Sequence, residues 1–589
     1  MKLTLIVALL ALSSTLLLFS PTIVYIDNYS AFKVVLWEVV TAGAFMAVAV
    51  AALGFIAVTA LQRLLPASFR PRIAAAVAAL ALGAVLQGTY LGWGFGALDG
   101  TEVDWSQPLG RSISGVAFWL IPLFVSQMVS DLRTAQTVRA VSLLIIGVQA
   151  VLIGVQSAGQ VRALNTPIYS VDTSQSMQFS ENQNAIVLVL DEFQCDVLDT
   201  VLDLHPELAG QLPGFTYFPD AVASSKQTFP SIPTLLTGAF YDNSKPAWNY
   251  VADAYDDTSL PGKLRSTGIR SELYPSIPGT VFSSPTVADN SIEQRFEFLN
   301  YTRVVYFGML RSLPVWAKRA TVELNDRLEE RRGKASSPTD ATASAQLDHP
   351  KPVLTGDNTS LRDVLPEARV AAQPPTFKFI HLFGLHIPIS FDRNLEYVDV
   401  EYSRETVVEQ ALGVVRLLGT FVDTLIEIGV YEDAAIVVVG DHGSGRSPDM
   451  WLNPSDPGDE FFNNLKARGC PLFLAKAAGS ATEPLQTSDA PVTLSDIEPT
   501  LLSEMGVDPE LIESKPIGIP GIDGLSGAQS VFTISDNAVR KRAYYSYKWE
   551  RHEPLYLAPI QEYVITGNVR DDASWKLGRT FLPKGEVAN

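Results

Sequence analysis

The chain of 589 residues carries a formal charge of -19, and 47% of it is hydrophobic while only 18% is charged. That balance excludes a disordered or collagen-like polymer and supplies the side chains for a large core. A surface so acidic is a poor partner for nucleic acid and for anionic lipid, so any hold on a membrane has to come from apolar segments.

Such segments come first. Five apolar runs precede residue 160, at 3–19, 34–61, 73–95, 113–129 and 141–155. About 20 apolar residues cross a bilayer as a helix, and flanking residues extend the shorter runs, so each run is read as one transmembrane helix. Arg63, Arg70 and Arg72 lie between the second and third runs, and Arg133 and Arg139 between the fourth and fifth. The alternate loops carry Asp27 and then Asp99, Glu102 and Asp104. The positive-inside rule therefore expects an integral, multi-pass protein with a cytoplasmic N-terminus and everything after the fifth helix in the periplasm or outside the cell. The first run, behind the lone Lys2, also reads as a cleaved signal peptide, and four remaining spans that start outside still end outside.

Beyond the anchor (1–160) the stretch to residue 183 is polar, contains Pro167 and reads as a tether. At Asn184 the pattern turns to AIVLVLDEF, a β-branched run ending in acids; FKFIHLFG and AAIVVVGDHG repeat the theme, with helical stretches between. Strands alternating with helices imply an α/β fold with a mostly parallel sheet, whose ligands bind beyond the carboxyl ends of the strands. That edge receives Asp191, His381, His386, Asp441 and His442. The reading assigns 184–530 to this domain and 531–589 to a C-terminal extension packed on it. The segment 329–352 reads as a solvated excursion. Cys195 and Cys470 are too few for a disulfide framework, and whether they pair is open.

One carboxylate at the end of the first strand and a carboxylate-imidazole pair at the end of another can converge on a divalent metal. An Asp in such a place is ordinarily a helix cap, and His381 ordinarily a satisfied strand histidine; Asp441-His442-Gly443 after a hydrophobic strand is less ordinary. Glu192 is read as a helix cap in preference to a second ligand. In SSKQTFPSIPTLLTG, Pro230 and Gly238 are start and stop signals that put Thr228 at a helix N-terminus, where free backbone donors favour an alkoxide and a phosphate. The ordinary alternative is a Thr cap.

Together, over about 184–506, these motifs resemble the alkaline phosphatase superfamily, in particular its sulfatase-like, membrane-anchored phosphotransferases. DEFQ is similar to the metal motif of lipoteichoic acid synthases, with Asp191 in place of the glutamate. GDHG resembles the metal-binding pair of that family and of the phosphoethanolamine transferases, and HLFGLHIP is similar to the latter's two-histidine segment. TFPSIPTLLTG resembles the sulfatase signature, with Thr228 in the nucleophile slot and Ile232 where a formylglycine enzyme has arginine; the resemblance therefore implies a threonine nucleophile and argues against formylglycine chemistry.

The resemblance implies an α/β/α sandwich and one divalent metal, zinc ahead of manganese and both ahead of calcium and magnesium. It implies Asp191, Thr228, Asp441 and His442 as its ligands, Thr228 and His386 as catalytic residues, and His381 and Phe229 in contact with substrate. The expected activity is transfer of a phospholipid headgroup to a cell-envelope glycan or lipid. The alternatives are a phosphodiester or ester hydrolase of the same superfamily and a non-catalytic, glycan-binding envelope protein. The oligomeric state is open.

Overall fold

The computed structural model describes residues 2–588 except 29–31, 33, 67–68, 91–118, 121, 125, 129–131, 159–160, 166–168, 278–279, 282–283, 294–295, 315–316, 319, 323–351, 445–459, 509, 511–516, 522–523 and 549–555. The chain divides into two compact units, one of residues 1–168 and 294–347, the other of 169–293 and 348–589.

In the first unit, four helices among the described residues are long and apolar enough to cross a membrane. They are α1 (Lys2–Asp27), α2 (Leu36–Leu61), α3 (Phe69–Tyr90) and α4 (Leu132–Ser157). The count is four where the sequence suggests five, because the run 113–129 falls largely outside the described residues. Helix α1 continues past Pro21 because one π turn, Thr15–Phe19, precedes it and relaxes the hydrogen-bond ladder that proline interrupts. Small residues set the helix contacts: a Cβ on Gly43 would lie 2.8 Å from the Leu17 carbonyl, and Ala11 and Ala81 are fully buried. Inside the bundle Gln149 donates to Thr15 Oγ1 at 3.0 Å. Phe45, Leu53 and Ile56 on α2 stay exposed. A later piece of the chain, the inserted helix Phe298–Ser312, packs in this same unit. The segment 184–530 is thus interrupted where the sequence reads as one continuous domain.

The second unit is built on seven strands: β1 (Asn184–Leu190), β2 (Phe215–Tyr217), β3 (Arg270–Tyr274), β4 (Thr376–Leu382), β5 (Ala434–Val439), β6 (Phe473–Lys476) and β7 (Gln486–Thr487). Their order is β7-β2-β6-β5-β1-β4-β3. β1 pairs in parallel with both β4 and β5, and β3 with β4, whereas β6 runs antiparallel to its neighbours. Every residue of β1, β4 and β5 is buried, which matches strands covered on both faces. The helix Arg404–Glu427 starts at a Ser403–Thr406 capping box and buries an apolar stripe from Val407 to Leu425.

The chain closes with a four-stranded antiparallel sheet, β8 (Lys541–Tyr547), β9 (Ile560–Thr566), β10 (Trp575–Phe581) and β11 (Val587–Ala588). Two buried ion pairs tie its first strand to the rest of the unit. Arg540 Nη1 lies 2.7 Å from Asp496 Oδ2, and Arg542 Nη2 lies 3.1 Å from Asp220 Oδ1.

Candidate active site

Because β1, β4 and β5 are adjacent and parallel, the residues just past their carboxyl ends meet. Asp191 follows β1 directly, His381 is the penultimate residue of β4, and Asp441 and His442 lie two and three residues after β5. Asp191, His381 and Asp441 are buried, and each offers one ligand atom within 4.8 Å of the others. His381 Nε2 is 3.4 Å from Asp191 Oδ2; His442 Nε2 is 3.4 Å from Asp441 Oδ2 and 4.0 Å from Asp191 Oδ1.

Backbone geometry holds this cluster open. Asp441 Oδ1 accepts the amides of Glu192 at 3.2 Å and His442 at 2.9 Å, which leaves Oδ2 facing the imidazoles. His442 Nδ1 donates to the Gly443 carbonyl at 2.8 Å, so Nε2 keeps its lone pair toward the cluster. The glycines of GDHG are required by close approach: a Cβ on Gly440 would lie 2.3 Å from the Phe193 carbonyl, and one on Gly443 2.0 Å from the Ala467 carbonyl. Gly384 has φ +52, and a Cβ there would meet the Asp191 carbonyl at 2.6 Å; Asn358 and Gln410 each donate to its own carbonyl at 2.8 Å.

Thr228 comes to the same point. Its hydroxyl donates to Asp191 Oδ2 at 3.3 Å and lies 3.5 Å from His442 Nε2. The helix Thr228–Thr237 ends at Gly238 in the left-handed region, where the sequence puts its stop. Its start differs from the expectation: Phe229 and Pro230 are non-helical, so Thr228 stands ahead of the regular turns and its hydroxyl serves Asp191 instead of capping them. Ser231 donates to the Asp441 carbonyl at 2.7 Å and ties this helix to the GDHG loop. The Phe229 ring packs on Tyr241 and Tyr250, and its carbonyl accepts from Tyr547 at 2.9 Å. His386 Nδ1 faces the Ile387 carbonyl at 2.6 Å, and a positive charge on the ring would favour the Asp191 carboxylate.

Glu192 does not cap a helix. It is buried with φ +56, and the next helix, Cys195–Leu204, begins at the Gln194 cap. The reading of His381 as a satisfied strand histidine also fails, because neither ring nitrogen has a hydrogen-bond partner. Three residues around Thr228 carried no legible signal. Tyr547 also bonds Gln227, Lys226 stacks over the Tyr547 ring at 4.9 Å, and Arg468 donates to the Lys226 carbonyl at 2.9 Å. Burial, and after it the Arg468 charge, bring the Lys226 ammonium down to about 8.

The charges are uneven. Burial, then the neighbouring Asp441, pushes the Asp191 carboxyl well above its usual range. Burial also opposes the Asp441 charge, but His442 and His381, the Glu192 amide and the Thr228 hydroxyl outweigh it and hold that carboxyl below its usual range. Burial drives His381 down to about 4 and keeps its ring neutral near pH 7. Asp191 Oδ1, Asp441 Oδ2 and both nitrogens of His381 lack hydrogen-bond partners while fully buried. Orphaned oxygen and imidazole donors at such spacing fit a divalent cation, which would take one oxygen from each carboxylate and one nitrogen of His381.

No curated protein matches the chain. Solved structures similar to it include a phosphonate monoester hydrolase from Silicibacter pomeroyi, at 15% identity over 69% of this chain and 90% of that one with a TM-score of 0.37. The lipoteichoic acid synthase LtaP from Listeria monocytogenes matches at 13% over 72% and 90%, TM-score 0.34. The zinc complex of the C-terminal periplasmic domain of EcEptC from Escherichia coli matches at 14% over 63% and 99%, TM-score 0.34. The sequence profile of the sulfatase family matches residues 183–507, more than half of the chain and the whole span from β1 to the helix Ile497–Glu504. The chain therefore belongs to the sulfatase family and is an enzyme of the alkaline phosphatase superfamily.

Proposed function

We propose that the protein is a membrane-anchored, metal-dependent phosphotransferase that moves a phospholipid headgroup to a cell-envelope glycan or lipid through a phosphothreonine at Thr228. One observation carries this reading: the Thr228 hydroxyl lies 3.3 Å from Asp191 Oδ2 and 3.5 Å from His442 Nε2, at the rim of a buried donor cluster with orphaned atoms. A hydroxyl so placed is a nucleophile in search of a base. The four apolar helices that begin the chain supply the membrane attachment and make a lipid the natural donor.

Asp191, Asp441, His442 and Thr228 would hold the cation, with His381 as a further ligand in place of the substrate contact its sequence suggests. A divalent cation bound there supplies charge neutralisation for a phosphoryl oxygen and a lowered pKa for an adjacent hydroxyl, and zinc suits the mixed oxygen and nitrogen set. The protein's own groups do the rest. Asp191 Oδ2, 3.3 Å from Oγ1, accepts the Thr228 proton as Oγ1 attacks the phosphodiester in line. His386, at the exit of β4, protonates the departing oxygen of the lipid. The Phe229 amide and Lys226 face the phosphoryl oxygens. His386, now without its proton, takes the proton of the acceptor hydroxyl as that oxygen attacks phosphorus, the bond from phosphorus to Thr228 Oγ1 breaks, and Asp191 returns the proton to Oγ1; hydrolysis differs only in water being the acceptor.

The test is incubation of the full chain in detergent with defined phospholipids and mass analysis of products. Diacylglycerol with a modified acceptor supports transfer, free headgroup phosphate means that water is the acceptor, and intact lipid overturns the donor assignment. Thr228→Ala should lower turnover by about a thousandfold or more with metal content largely intact, since Asp191, His381, Asp441 and His442 remain; full activity in that variant removes the nucleophile.

A further inference from the structure

We propose that the inserted segment 294–347 is a second membrane anchor, so that the catalytic polypeptide is held to the bilayer by more than the connection that follows α4. The segment lies between β3 and β4 in sequence, yet it groups with the spans.

Its helix, Phe298–Ser312, packs as membrane helices do. Gly308 and Ser312 are four residues apart and form a small-residue stripe. A Cβ on Gly308 would lie 2.6 Å from the Pro21 nitrogen of α1, and Ser312 Oγ is 2.6 Å from Ser20 Oγ. Gly88 of α3 stands against the same serine, at 3.3 Å from its own Cβ position. Tyr301 and Val304, essentially inaccessible, join Tyr25, Ile26, Val34, Leu36 and Val39 in one apolar cluster. Phe307 meets Phe32 edge-on at 6.0 Å.

Depth separates an anchor from a helix that merely rests on the ends of the spans. The Tyr301 hydroxyl donates to the Leu17 carbonyl at 2.8 Å. Leu17 is ten residues before the end of α1 at Asp27, about 15 Å down the helix axis at a rise of about 1.5 Å per residue. At the other end Arg311 Nη1 reaches Asp27 Oδ2 at 3.3 Å, and its Nε donates to the Gly88 carbonyl at 3.1 Å, both at the termini of spans. Leu17, Ser20 and Pro21, six to ten residues before the end of α1, thus all meet this helix, about 9–15 Å below that end, while the Arg311 guanidinium reaches up to the mouth. Phe298, on the same helix, remains exposed and apolar.

The chain therefore passes between the two units at 168/169, 293/294 and 347/348. A single cut in the first connection leaves the catalytic unit attached through the other two. The experiment places protease sites in the full chain within 166–168, near 294 and near 348, reconstitutes it in phosphatidylcholine and phosphatidylglycerol vesicles, and follows the fragments by flotation. Cutting only the first site should leave the catalytic fragment with the vesicles, and cutting all three should release it. Release after the first cut overturns the proposal, and so does flotation after all three, since the hold then lies elsewhere. A second measurement needs no inserted site: an apolar photoreactive lipid should label peptides from 298–312 in the unmodified protein and spare those of 404–427. Absence of label from 298–312 likewise overturns the anchor.

Discussion

At Gly443 a single methyl group decides the geometry of the site. It would sit 2.0 Å from the Ala467 carbonyl, a backbone atom with no flexible end to swing away. Gly443→Ala should therefore displace the His442 loop and abolish metal binding, measured by metal content of the purified protein, while the exposed Gly147, with nothing near its Cβ, tolerates the same change. His381 supplies the pH dependence. Its folded pKa of about 4 lies below the ordinary 6.5, so between those values the unfolded chain binds a proton that the folded chain refuses. Stability of the metal-free protein should fall as pH drops from about 6.5 toward 4, by an amount on the order of 3 kcal/mol at full titration. His381→Asn should flatten that slope in thermal melts taken across the interval. The residues of the cluster were legible because each follows a hydrophobic strand; the role of His381 was not, since one strand position gives no sign of whether a ring nitrogen finds a partner.

Among elements, the C-terminal sheet has the least obvious part. Tyr547, at the end of β8, bonds the Phe229 carbonyl and Gln227 on either side of Thr228. Tyr547→Phe removes both bonds, each worth about 1 kcal/mol, and should lower turnover roughly tenfold without loss of metal, a split that kinetics and metal analysis together would resolve. Five residues earlier on the same strand, Arg542 is fully buried against Asp220. Arg542→Ala would leave that carboxylate without its counter-charge and should cost about 3–5 kcal/mol in unfolding experiments. The alternation of strands and helices announced the parallel sheet because both rest on local periodicity. The antiparallel β6 and the closing sheet were not legible, for pairing direction is set by contacts between residues hundreds of positions apart. The inserted helix escaped notice for a related reason: Gly308 and Ser312 look like ordinary small residues until Pro21 and Ser20 are seen against them.

For the whole molecule, a cation held by the orphaned donors of the site would stabilise the folded chain. Removing metal with a chelator should lower the melting temperature, and saturating it at about a hundred times its dissociation constant should restore about 2.7 kcal/mol. An unchanged melting curve would show that the cluster does not bind the ion. The brace at Tyr547 carries a further consequence for how the enzyme is made. Thr228 leaves the ribosome more than three hundred residues ahead of the tyrosine that steadies its neighbour. A nascent chain thus carries Thr228 without its brace, and the surroundings of that hydroxyl are completed only when the final sheet has been synthesised and folded.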